Sequence, residues 1–141
     1  MGRLFSAMLA GCLSLPAVAQ TATLALPGGQ EVHFPAGGLI GVAGPRMVLT
    51  LTRLDDQRCP SQVDCYWEGM IRAVIAVTVD GQGKTEMILC NLCGDGGRTG
   101  AVAGYVLRLE RLEPEVTVIE ALGRVAVLTD YTVLVTVSAE P

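Results

Sequence analysis

The chain has 141 residues, enough for one domain; 50% are hydrophobic and only 17% charged, which excludes a disordered, charge-solvated chain. Its formal charge of −4 argues against a nucleic-acid partner, because phosphate neutralisation needs a basic face. There is one histidine (His33), one lysine (Lys84) and one tryptophan (Trp67). A multi-histidine metal site therefore cannot be built, and a triad has a single possible centre.

Residues 1–19 have the form of a secretory signal. Arg3 gives a short positive start, an apolar stretch follows, and Ala17-Val18-Ala19 is a small-x-small cleavage pattern before Gln20. Leu9-Ala10-Gly11-Cys12 offers a competing lipobox that would put a lipid anchor on Cys12. The apolar residues running on to Ala19 favour ordinary cleavage instead. Removing residues 1–19 takes away Arg3 and Cys12 and leaves 122 residues with a formal charge of −5. Four cysteines remain: Cys59, Cys65, Cys90 and Cys93. An even number in an exported chain, periplasmic or extracellular, points to disulfides. No later apolar run approaches the roughly 18 residues of a membrane helix, so no membrane span is expected in the mature chain.

Taken in order, weak strand patterns cover 21–26 and 30–34, and a loop rich in glycine and proline spans 35–45. Met47, Leu49 and Leu51 then alternate with Thr50 and Thr52, which predicts a half-buried strand to Leu54. Gly69–Val79 is the longest alternating run, and Asp80-Gly81 predicts a hairpin turn after it. A weaker pattern at 85–89 precedes a long glycine-rich loop at 91–104. Tyr105, Leu107 and Leu109 alternate next, 116–122 and 124–129 are weak strand candidates, and Tyr131, Val133, Val135 and Val137 close the series. The best helical alternative, 113–128, is weakened by its valines and Gly123. Eight or nine short strands in residues 20–141 predict one all-β domain, an antiparallel sandwich (immunoglobulin-like) or a small barrel. With five mature aromatics its core must be aliphatic.

Between the strands ending at Leu54 and starting at Gly69 lies Asp55-Asp56-Gln57-Arg58-Cys59-Pro60-Ser61-Gln62-Val63-Asp64-Cys65-Tyr66-Trp67-Glu68. This segment resembles a group of small exported bacterial proteins and lipoproteins with an Asp-Ser-Arg-Cys-Pro…Cys-x-Trp-x-Gly motif between two strands. Arg58, Cys59, Pro60, Cys65, Trp67 and Gly69 fit it, as do Gly104-Tyr105, Pro114 and Asp130-Tyr131 downstream. Gln57, Glu68 and the 91–104 insertion with its second cysteine pair depart from it. The resemblance implies export and a β fold, and brings no activity with it.

Local pairing of Cys59 with Cys65 would close a seven-residue loop, worth roughly 2.4 kcal/mol in the chain-entropy account, with Pro60 stiffening it and Trp67 packing over the bridge. A crossed pairing, such as Cys59 with Cys90, remains open. Cys90-Asn91-Leu92-Cys93 reads first as a staple, with a redox disulfide or half a metal site as alternatives. Asp55, Asp56, Asp64 and Glu68 could hold calcium, though ordinary loop acids are the plainer reading. The Gly94–Gly100 loop lacks the lysine of a phosphate-binding loop, His33 has no histidine partner, and Ser61 sits in no nucleophile elbow. No catalytic residue, metal site or cofactor is expected. The function expected is a non-catalytic exported domain that binds a protein or small ligand, or supports the envelope. The alternatives are a thiol-redox or copper-handling protein using Cys90 and Cys93, and an inhibitor of a secreted hydrolase.

Overall fold

A computed structural model describes residues 21–34, 46–94 and 97–141. The expected signal, its Ala19/Gln20 cleavage point, Cys12 and the 35–45 loop lie outside the described residues. Eight strands are present: β1 (Thr21–Pro27), β2 (Glu31–Phe34), β3 (Met47–Arg58), β4 (Gly69–Val79), β5 (Gln82–Cys90), β6 (Thr99–Val102), β7 (Tyr105–Glu113) and β8 (Thr132–Ala139). They form two four-stranded antiparallel sheets, ordered β2-β3-β4-β5 and β1-β8-β7-β6. Every pair is consecutive in the chain except β1 with β8, so the order is cyclic, as in an up-and-down barrel. The ring is opened between β1 and β2 and between β5 and β6; isolated bridges join Gly28, just after β1, to Leu51 of β3, and Leu89 of β5 to Gly97, just before β6. The molecule thus combines sandwich layering with a barrel's strand order.

One aliphatic core lies between the sheets. Leu49, Leu51, Ile75 and Leu89 come from one side and Leu107, Leu109, Val133 and Val135 from the other, all essentially inaccessible. Tyr105 and Phe34 meet edge-to-face at 5.4 Å and close the core at one end. Strand β4 is buried on both faces. Val74 and Ala76 point away from the core, opposite Arg53 of β3 and Glu86 of β5 respectively, and those two side chains form a 3.9 Å ion pair across the strand between them. Long charged side chains thereby cover small apolar ones on an exposed sheet face.

Two bulges bend the sheets at matching places. The β3–β4 register shifts between Leu51 and Arg53, and the β7–β8 register between Leu109 and Arg111. The strands read Leu-Thr-Arg-Leu and Leu-Glu-Arg-Leu there, so the inward leucines fall three residues apart instead of two. The extra residue switches which positions face inward. Leu54, Asp56 and Arg58 consequently take the inner face of β3, as Leu112 does in β7.

Three sequence expectations are corrected. Residues 116–122 do not form a strand: Val116–Glu120 is a short helix, α1, whose side chains are not buried. Residues 124–129 are irregular and run into a 3-10 turn at Leu128–Asp130. Valine at these positions signals strand only if a neighbouring strand offers a ladder, and β7 and β8 already pair with each other. The 91–104 loop contains β6, which pairs with β7 through a two-residue turn at Ala103-Gly104. The strand is hard to read because Gly100 and Ala101 carry almost no apolar signal. Gly100 is small for a packing reason, since a Cβ there would sit 2.7 Å from Met87 Sδ across the β5/β6 seam.

Candidate functional site

Arg58 and Gly69 pair at the ends of β3 and β4, Cys90 ends β5, and Glu113 pairs with Thr132 at the start of β8. The connections 59–68, 91–98 and 114–131 therefore emerge at one end of the molecule.

The motif residues form a structural corner there. Arg58 grips Asp56 with two hydrogen bonds, Nε to Oδ1 at 2.8 Å and Nη2 to Oδ2 at 2.9 Å, and both side chains are nearly buried. Its Nη1 reaches the opposite sheet and donates to the carbonyls of Leu112 at 3.2 Å and Pro114 at 2.9 Å, beside the cis Glu113–Pro114 bond. Burial opposes ionisation of Asp56, but hydrogen bonds and charge from Arg58, with the Tyr131 hydroxyl, outweigh it and hold the carboxyl below its ordinary range. Burial, then the Asp56 charge, pushes the Tyr131 phenol up. Arg58, Pro114 and Tyr131, far apart in sequence, thus lock the two sheets together. Asp56, the partner that makes this possible, was legible only as one acid in a cluster; the signal for it is its i, i+2 spacing to Arg58 on one strand face.

Cys59–Cys65 and Cys90–Cys93 are both disulfide-bonded, with Cα atoms 5.9 Å and 5.8 Å apart, which excludes the crossed pairing. In the first loop Ser61 is anchored to α1, its amide donating to Glu120 Oε1 at 3.0 Å and its hydroxyl to Oε2. Pro60 accepts a hydrogen bond from the Val63 amide, making a turn inside the ring. Gly69 closes the loop at φ +88°, where a Cβ would stand 2.5 Å from Arg58 Cα and 2.6 Å from the Gln57 carbonyl oxygen. In the second loop Asn91 prolongs the β4–β5 ladder. Its Oδ1 accepts from the Ile71 amide at 2.8 Å, its Nδ2 donates to the Gly69 carbonyl at 3.1 Å, and its own amide donates to Ile71. Cys90 is buried at the end of a strand, with no helix N-terminus beside it to acidify a thiol. Each ring is tied to β4 at its base, and both tie to Gly69.

The acids proposed for calcium do not converge. Asp55 faces outward and pairs with Arg72 at 3.6 Å, while Asp56 faces inward to Arg58. Among the described residues no group of three or more His, Cys, Asp or Glu is placed to hold a metal ion. His33 is exposed, 3.9 Å from Glu31. No helix among the described residues is long and apolar enough to cross a membrane.

Trp67, expected to pack over the Cys59–Cys65 bridge, is 66% exposed and lines a shallow depression of ≈ 250 Å³ with Gln57, Met70 and Leu92. The depression lies where the two disulfide loops meet. Around it Tyr66 is fully exposed and Val63 and Leu92 are more than half exposed. The remaining exposed large apolar side chains among the described residues, Val118, Leu122, Val125 and Val127, belong to the adjacent β7–β8 connection. Among the described residues the opposite end, with the Asp80-Gly81 and Ala103-Gly104 turns, shows none. A second cleft of ≈ 380 Å³ lies at the β3 bulge, lined by Arg53, Asp55, Asp56, Leu128 and Tyr131 among others; its acids are already paired with Arg72 and Arg58.

Comparison of the chain with protein-family models, curated proteins and solved structures finds no match in any of the three.

Proposed function

We propose that this chain is an exported, non-catalytic β domain that binds another protein through its disulfide-stapled loop end. One observation carries the reading: every large apolar side chain left exposed among the described residues lies in three connections at the same end. Water-exposed apolar surface gathered at one place marks an interaction site, whereas scattered exposure is ordinary. The framework suits the role. Two disulfides, the Asn91 bridge and the Ser61–Glu120 bonds hold the loops in one conformation, which lowers the ordering cost of association. Export, to periplasm or exterior, is supported by the signal-like residues 1–19, the likeness to small exported bacterial proteins, and the paired cysteines.

Site-specific photo-crosslinking in cells that export the chain tests this. A crosslinker at Tyr66 or Leu92 is expected to give a discrete adduct, and one at Gly81 none. Equal labelling from both ends, or none from the loop end, defeats the reading.

A further inference from the structure

We infer that the depression between the two disulfide loops receives a cationic, apolar peptide segment of the partner protein, one large apolar side chain flanked by arginine or lysine. This rests on the binding reading above and adds the chemistry of what is bound. The depression, ≈ 250 Å³ and lined by Trp67, Met70, Leu92 and Gln57, matches one aliphatic or aromatic side chain. Its surroundings choose the charge. Asp64 and Glu68, on the same loop as Trp67, are exposed and have no cationic partner among the described residues; of the arginines at this end Arg58 is committed to Asp56 and Arg124 to Asp130, which leaves these two carboxylates to the one exposed Arg98 of the 91–98 connection. An incoming guanidinium or ammonium beside the apolar anchor would gain the Glu68 carboxylate and the face of the exposed indole together.

The same features weigh against other occupants. An anionic membrane surface would be repelled by these carboxylates. A second copy would bring one acidic loop end against another. The segment preceding Thr21 enters the fold at the far end, where β1 starts opposite Ser138.

Selection from a random peptide phage library on the oxidised full chain tests the inference, followed by titration of the selected peptides using the emission of Trp67, the only tryptophan. The expected result is enrichment of peptides with arginine or lysine next to an aromatic or leucine. Their binding should fall at least tenfold in Leu92→Asp and in the Asp64→Lys, Glu68→Lys double variant, and weaken with salt. All three positions are exposed, and retained midpoints of thermal unfolding confirm intact folds. Enriched peptides that need Leu92 but are neutral or acidic would overturn the charge assignment while leaving the binding reading standing. Absence of any Leu92-dependent peptide would overturn both. A concentration-dependent dimer abolished by Leu92→Asp, or a Trp67 emission shift with phosphatidylglycerol vesicles, would assign the depression to a second copy or to a membrane and overturn the inference.

Discussion

At Gly69 two demands meet at one atom. Its φ of +88° is a region that side chains rarely enter, and the space where a Cβ would go is filled by the backbone of Gln57–Cys59. Backbone cannot swing aside as a flexible side chain would. Gly69→Ala is therefore expected to cost about 3 kcal/mol, read as a lowered denaturant midpoint at unchanged slope. The carboxylates of the corner set the acid limit. Asp56 is held below its ordinary value of 3.8 despite burial, and hydrogen bonds from Arg124 and the Val127 amide bring Asp130 down to about 2. Both are lower in the folded chain than unfolded, so their stabilisation is complete above about pH 4–5 and is lost as pH falls towards 2. Urea midpoints are expected to be flat from about pH 5 to 7 and to decline below 4. In Asp130→Asn the decline should be shallower, and an unchanged profile would remove Asp130 from this account.

Among elements, the turns are where sequence and conformation disagree. Asp80-Gly81 and Ala103-Gly104 both place two consecutive residues at positive φ, the turn that matches strand twist. Aspartate tolerates that region, whereas alanine at φ 52° gains nothing from it. Ala103→Asn is expected to stabilise by about 0.5–1 kcal/mol, measured by thermal or urea unfolding. The same comparison shows what was legible. Period-two runs located β3, β4, β7 and β8, and Asp80-Gly81 located its hairpin, because half-buried strands must alternate. Local cysteine spacing anticipated both disulfides. The bulges, β6 and α1 were not read. A bulge shows only as leucines three apart, β6 has small residues under Met87, and α1 carries strand-forming valines in a connection without a free ladder. Of the loop end, the cysteines and motif residues could be named. Their joining through Arg58 to Leu112 and Pro114 needed the fold, since it depends on contacts more than fifty residues apart.

On the scale of the whole molecule, β1 and β8 complete a cycle that places the first described residue opposite Ser138 and leaves Glu140 bonded to Gly104. The described chain thus begins and ends at the end away from the stapled loops. This arrangement determines how the domain answers to tension. A pull applied through Thr21 and Ala139 meets the β1–β8 ladder at its open edge, with the hydrogen bonds loaded one after another from Thr21–Ser138 towards Pro27–Thr132, as in a zipper. Strands loaded from opposite ends would instead share the force across all bonds at once. Tethered by both ends in a force spectrometer, the domain is expected to open at low force by peeling of β1, well below domains whose terminal strands are sheared. The disulfide-tied loops carry none of that first load, so a bound partner would stay seated while the far edge yields.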